Sequence, residues 1–186
     1  MTRALAGLAA LLLLLYPLLI YFGGQWLEPR YLGLALASIY GLRLFLTARR
    51  WEAKLAIGIA LGLLAAALWH WNDERLLRLW PALINALLAC YFTYTLYRPP
   101  TLPARMASRE FSHGLPPLVE WYTRKVTQVW VVFFVFNGAL ACYTALFSSR
   151  ELWALYNGLL AYGLIGLLFA LEYGYRTFIF KKKHGL

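Results

Sequence analysis

The amino-acid sequence predicts an all-α, polytopic membrane protein: a six-helix transmembrane bundle with both termini in the cytoplasm. Three observations lead there. The 186 residues are 62% hydrophobic and 17% aromatic but only 14% charged, too apolar for a soluble domain of this size. Six apolar runs approach the roughly 17–25 residues needed to cross the hydrocarbon, at residues 4–22, 31–47, 54–71, 80–97, 126–147 and 152–175. The basic residues gather between the runs, and unevenly. Because backbone groups in lipid must pair within each segment, the runs predict helices. They leave no space for a soluble domain, so residues 1–186 read as a single integral membrane domain.

With six spans, the N-terminus, the second loop, the fourth loop and the C-terminus share one side. Arg3, Arg49, Arg50, Lys54, Arg98, Arg105, Arg109, Arg124, Lys125, Arg176, Lys181, Lys182 and Lys183 lie there, and Arg43 sits near the same end of the second run. The other side holds Arg30, Arg75, Arg78 and Arg150. Basic flanks stay in the cytoplasm, which predicts a multi-pass protein with both termini cytoplasmic. The net charge of +10 is topogenic on this reading and does not predict nucleic-acid binding.

Arg3 and the apolar residues up to Leu15 look like the front of a signal peptide. Tyr16, Pro17 and the residues after them continue the run, however, and no small-x-small site follows. An uncleaved first span is expected; a five-span variant, with this run lost or re-entrant, would place the N-terminus outside. Pro17 is expected to kink or loosen the first helix. Gly23 and Gly24 end it, and Glu28, Pro29 and Arg30 turn the chain. Small residues recur at four-residue spacing: Gly33, Ala37 and Gly41 in the second run, Gly58, Gly62 and Ala66 in the third, Gly166, Ala170 and Gly174 in the sixth. Such stripes let helix backbones approach closely, and packing within the bundle is favoured over a dedicated dimer face.

Asn72, Asp73 and Glu74 link the third and fourth runs, the two acids suiting the positive start of the next helix. His70 lies too close to them in sequence to build a metal site, and Trp69 and Trp71 suit interface anchors. Cys90 and Cys142 lie inside runs as small apolar residues, with no metal spacing and no expected disulfide. No metal and no cofactor are predicted. In the cytoplasmic loop, residues 98–125, Pro99, Pro100, Pro103, Pro116 and Pro117 forbid one continuous helix. A short helix over residues 104–111 would put Met106 and Phe111 on lipid and Arg105 and Arg109 toward headgroups. The same segment suits a solvated linker or a loop that docks a partner.

The last two runs carry polar residues at membrane depth, where an unpartnered polar side chain is costly. Trp130, Phe134, Asn137, Ala141 and Thr144 share one helical face, and Asn157, Ala161, Leu164, Leu168 and Glu172 share another. A neighbouring stripe holds Tyr162, Gly166, Phe169, Tyr173 and Arg176. The few residues at 148–151 force the two helices to be antiparallel neighbours. Two readings compete. Arg43, Arg124, Gln128, Glu172, Tyr173 and Arg176 suit a polar pocket open to the cytoplasm, able to hold an anionic headgroup or the end of an acyl chain. Alternatively, Asn137 and Asn157 are interhelical pins worth about 0.6 to 2 kcal/mol, and Glu172 pairs with Arg176 one turn on. The second is favoured. No Ser/His/Asp set, phosphate loop or paired catalytic carboxylates are visible, so no reaction is assigned.

The segment from Trp121 through Tyr122, Thr123, Arg124 and Lys125 to Gln128 and Trp130, with Phe133, Phe134, Asn137 and Gly138, resembles a family of uncharacterised bacterial inner-membrane proteins. Trp153 to Gly158 and Phe169 to Tyr173 carry the same likeness. Members are often encoded beside fatty-acid-type or aryl-polyene synthesis genes. More distantly, the chain is similar to the septation protein A family, through His70 with Asn72, Asp73 and Glu74, the segment from Pro100 to Met106, Trp130 with Phe133 and Phe134, and the spacing of the spans; Trp71 is an extra residue against that pattern. The resemblance implies a six-span inner-membrane protein without known enzymatic activity. The expected function is non-enzymatic support of cell-envelope biogenesis through membrane lipids or other inner-membrane envelope proteins. The alternative is a lipid or polyene carrier, or a membrane-bound acyl-processing enzyme. A proton-coupled transporter is disfavoured, because Glu172 is the one acid well inside a run and no inverted repeat is evident.

Overall fold

The computed structural model describes residues 7, 11, 15–24, 26–111 and 114–184, and every regular element among them is helical. Most of the first expected span lies outside the described residues; what is described is α1, Tyr16–Gly23, with Pro17 in its first turn, where a missing N–H costs nothing. Then follow α2 (Pro29–Thr47), α3 (Trp51–Trp71), the single-turn α4 (Glu74–Arg78), α5 (Trp80–Tyr97), the short α6 (Leu102–Ala107), α7 (Pro117–Phe147) and a final helix, α8, that starts at Arg150 and continues to His184. Among the described residues, four stretches are long and apolar enough to cross a membrane: Lys54–Trp71, Glu74–Tyr97, Pro117–Phe147 and Arg150–Phe180. Helix α2 has 19 residues, about 28 Å at 1.5 Å per residue.

Helix α7 begins well before the apolar run at residue 126. Pro117 starts it, and its first turns bury Val119, Tyr122 and Thr123, so tertiary packing carries the helix into a polar stretch. The short helix expected at 104–111 is instead Leu102–Ala107, capped by the Thr101 side chain, with a tighter 3₁₀ turn at Ser108–Glu110.

The chain divides into two compact units. The first is Met1–Trp80 with Thr144–Leu159. Its core joins Tyr16 and Ile20 of α1, Leu68 of α3, Leu77 of α4, Ala145 of α7, and Trp153 and Ala154 of α8. Helix α4 explains why large aromatics are buried here. In a helix of five residues the last carbonyls have few donors ahead of them, and Pro81 offers no N–H to the Leu77 carbonyl four residues before it. The Tyr16 hydroxyl donates to the Leu77 carbonyl at 2.7 Å, and the Trp153 indole N–H donates to the Arg78 carbonyl at 3.0 Å. At the start of α4, Asp73 accepts from the Arg75 amide at 2.8 Å. Glu74 accepts from Arg78 Nε at 2.8 Å and from Arg150, which ties α4 to the start of α8. Asn72 ends α3 in the left-handed region at φ 44°, a conformation its short polar side chain tolerates. Its Oδ1 accepts from the Arg30 amide at 3.1 Å, satisfying an orphan donor at the start of α2.

The second unit is Pro81–Tyr143 with Leu160–Leu186. Ala89, Trp130 and Phe134 form its centre, flanked by Phe92, Phe133, Ile165 and Leu168. Trp130 meets Phe134 at 5.5 Å and Phe169 at 4.7 Å, and Phe92 meets Phe134 edge-on at 5.2 Å. All five residues of the α7 face predicted from spacing, Trp130, Phe134, Asn137, Ala141 and Thr144, are buried.

Two expectations are corrected. The spacing puts Leu164 on the packed face of α8, but it is exposed and Ile165 packs instead. The reason is helix phase: at about 100° per residue, Ile165 falls about 40° and Leu164 about 60° from the centre of the face set by Ala161, Leu168 and Glu172. Close packing is also expected at all three small-residue stripes. On α2 it is made: a Cβ at Gly33 would meet Leu68 at 2.8 Å and Leu77 at 2.9 Å. At Gly58 and Gly62 of α3, and at Gly166 and Gly174 of α8, it would meet nothing within 4 Å among the described residues. Those stripes stay open because the large side chains that close each core project from other faces of the same helices.

Trp153→Phe keeps an aromatic ring and deletes the donor to Arg78. The variant should lose about 1–2 kcal/mol of stability, read as a lower unfolding midpoint in detergent. Tyr16→Phe should show a loss of similar size.

Candidate functional site

The most concentrated polar group in the second unit is built on Tyr122 of α7. Its hydroxyl donates to Glu172 Oε1 at 3.0 Å. Arg176 Nε lies 3.1 Å from the same oxygen as an ion pair, although its N–H is not aligned for a hydrogen bond. The Tyr122 ring stacks on Phe180 at 4.2 Å and lies nearly parallel to Tyr175 at 6.1 Å. A second π turn, Tyr175–Lys181, makes this stack possible. Continued α geometry from Glu172 would bring residue 179 to this face, about two turns on. The inserted residue brings Phe180 there instead, 5% exposed, and leaves Ile179 52% exposed.

The residues proposed for a polar pocket do not all converge on Glu172. Arg176 does, and its guanidinium also sits 5.6 Å over the exposed ring of Tyr173. Arg124 turns to another partner: its Nη1 donates to the Leu96 carbonyl at the end of α5, at 3.0 Å. Gln128 is exposed. Arg43 lies in α2, and its side chain is outside the described set. In the loop, Arg105 donates from Nε to the Pro100 carbonyl at 3.1 Å. Met106 and Arg109 are exposed and Phe111 is half-buried.

The asparagines bond between helices. Asn137 Nδ2 donates to Asn85 Oδ1 at 3.0 Å, and Asn85 Nδ2 donates in turn to the Pro81 carbonyl at 2.8 Å. Gly138 permits this approach, since a Cβ there would stand 3.0 Å from Asn85 Cβ. In the first unit, Asn157 Nδ2 donates to Thr144 Oγ1 at 3.2 Å and to the Trp153 carbonyl at 3.0 Å. The latter contact falls at the first π turn, where the backbone ladder is interrupted and a side-chain amide can serve a freed carbonyl.

Sequence reasoning missed Asn85 and Tyr122. Asn85 carried a usable signal, a lone amide inside an apolar run; Tyr122 carried none, since it lies outside the run and its partners, Glu172 and Phe180, sit on another helix. A recess in the first unit, lined mostly by apolar residues such as Leu18, Tyr21, Phe22 and Ala154 with Glu151 as its one charged side chain, contains none of the proposed polar residues. Among the described residues no three of His, Cys, Asp and Glu converge, and His70 rests edge-on against Trp71. Chemically, the Tyr122 cluster holds one carboxylate between a hydroxyl and a guanidinium and links α7 to α8. No protein-family model, curated protein or solved structure matches this chain.

Tyr122→Phe and Glu172→Gln should each lower the unfolding midpoint, and a double-mutant cycle should return a coupling of about 1 kcal/mol. For the amide pair, Asn85→Leu should lower the unfolding midpoint, and a double-mutant cycle with Asn137→Leu should return a coupling of about 1 kcal/mol, because the two amides bond each other.

Proposed function

We propose that this chain is a six-span protein of a bacterial inner membrane, with both termini cytoplasmic, that supports envelope biogenesis without catalysis by engaging lipids or other membrane proteins. One observation carries the non-catalytic part: the polar atoms at membrane depth are used on one another. Glu172 holds Tyr122 and Arg176, Asn137 holds Asn85, and Asn157 holds Thr144. These are bonds that fix helices in place, not groups converging on a substrate. The topology rests on the four helices able to span, on the length of α2, on the apolar run at residues 4–22, and on the one-sided distribution of basic residues. The likeness to the septation protein A family supports the same reading. Among the residues that carry it, Trp130, Phe133 and Phe134 make the aromatic core of the second unit, while His70 with Asn72, Asp73 and Glu74, and the segment from Pro100 to Met106, carry the rest.

Single cysteines, introduced one at a time in a background lacking Cys90 and Cys142, test the topology by their labelling. Arg109→Cys and Lys183→Cys should label from the cytoplasmic face only, and Arg75→Cys from the opposite face. Labelling of Arg109→Cys and Arg75→Cys from one face sinks the topology. For the functional part, a photo-crosslinker at Met106 should capture discrete membrane proteins or lipid in living cells, and Glu172→Gln should leave that capture unchanged wherever the protein still accumulates. Loss of capture in a stable Glu172→Gln variant would move the function to the Tyr122 cluster.

A further inference from the structure

We propose that the exit of α5, residues 96–100, is a binding site for the phosphate headgroup of an anionic phospholipid, with Arg98, Arg105 and Arg124 as its cations. The proposal rests on the lipid-engaging reading above and names the class of lipid. It begins with the carbonyls at the end of α5, which have no intrahelical partners. Arg124, reaching from α7, donates Nη1 to the Leu96 carbonyl at 3.0 Å. Arg105, reaching back from α6, donates Nε to the Pro100 carbonyl at 3.1 Å. Arg98 lies in the chain between those two carbonyls. Two guanidinium groups are thereby held on one short segment by hydrogen bonds to backbone, and Arg98, exposed, belongs to that segment.

Each guanidinium has five N–H donors, and each tether uses one. All three side chains are exposed, and none of the three is in an ion pair with a described residue. Gathered cations repel unless an anion sits among them. Planar forks with donors to spare match the tetrahedral oxygens of a phosphate. The flanking residues indicate that the anion is a lipid. Tyr97 and Trp121 are exposed, and Lys125 stands 6.0 Å over the Trp121 ring. Aromatics of this kind settle at headgroup depth, and the exposed Met106 of α6 adds an apolar surface beside Arg105.

The wider charge pattern agrees. In the second unit every lysine and arginine falls at 98–125 or 176–183, while residues 81–97, 126–143 and 160–171 carry no charged side chain. The ends of α5, α7 and α8 meet there, through Arg124 on Leu96 and Tyr122 on Phe180. Zwitterionic lipids bring their own cation to such a surface, and anionic lipids do not, so the site selects for net negative charge.

The test is native mass spectrometry of the purified full chain in detergent, offered equal amounts of phosphatidylglycerol and phosphatidylcholine. The wild type should retain phosphatidylglycerol with at least about a tenfold preference. Arg98→Gln, which breaks no hydrogen bond of the side chain, should lower that preference about fivefold, and the triple Gln variant at Arg98, Arg105 and Arg124 should abolish it. The pair Lys182→Gln with Lys183→Gln removes charge from the same end without touching the tethers and should change the preference less than about twofold. Equal retention of the two lipids overturns the proposal, and so does a lysine-pair variant as defective as Arg98→Gln, which would show a diffuse field and no site. Displacement of the lipid by glycerol phosphate or an acidic peptide at comparable concentration also overturns it, assigning the arginines to a soluble anion or a protein. If the triple variant does not fold, Arg98→Gln decides. A negative result leaves the topology labelling and the Met106 crosslinking intact, so the two readings fail separately.

Discussion

A polar group enclosed by hydrocarbon has no water to bond with, and that constraint organises both units of this protein. Its clearest expression is the single turn of α4. A single turn followed by Pro81 leaves its last carbonyls short of donors, and the chain brings Tyr16 from one helix and Trp153 from another to donate to Leu77 and Arg78. Two of the largest side chains in the first unit are buried by this requirement. Their rings then supply apolar area, and their polar ends supply direction. Asn72 does the corresponding work at an amide end, bonding the start of α2 from the end of α3.

In the second unit the same constraint is met more locally. Thr95, Thr123 and Thr127 are buried and return their hydroxyls to carbonyls of their own helices, a habit of short hydroxyl side chains. Asn85 and Asn137 have no such option for every donor and meet each other instead. Gly138 provides the clearance, so one small residue and two amides act as a single device. Where satisfaction is incomplete, at the exit of α5, the donors left over are those of arginines near the ends of the helices.

The second π turn of α8 shows how a local irregularity redistributes the side chains that follow it. It adds a residue to a turn and changes which later positions face the core. The consequence is specific: Phe180 reaches Tyr122 in place of Ile179. An uninterrupted α-helix would break the Tyr122 stack while leaving composition and hydropathy untouched.

All-helical structure, the long apolar helices and the buried face of α7 were legible from composition and from three-and-four spacing, because those signals are local and repeat along the chain. The pairing of Glu172 with Arg176 was legible too, being one helical turn long. The polar cluster around Tyr122, the turn of Arg124 toward Leu96, and the open faces at Gly58 and Gly166 were not. Each depends on which helix lies alongside, and the Tyr122–Phe180 stack depends also on phase carried across a π turn. The sequence by itself determined which segments become helices and where polar groups fall within them. Only the tertiary structure decided the partner of each polar group, because pairing joins residues far apart in the chain and is settled by whichever donor the packing brings within about 3 Å.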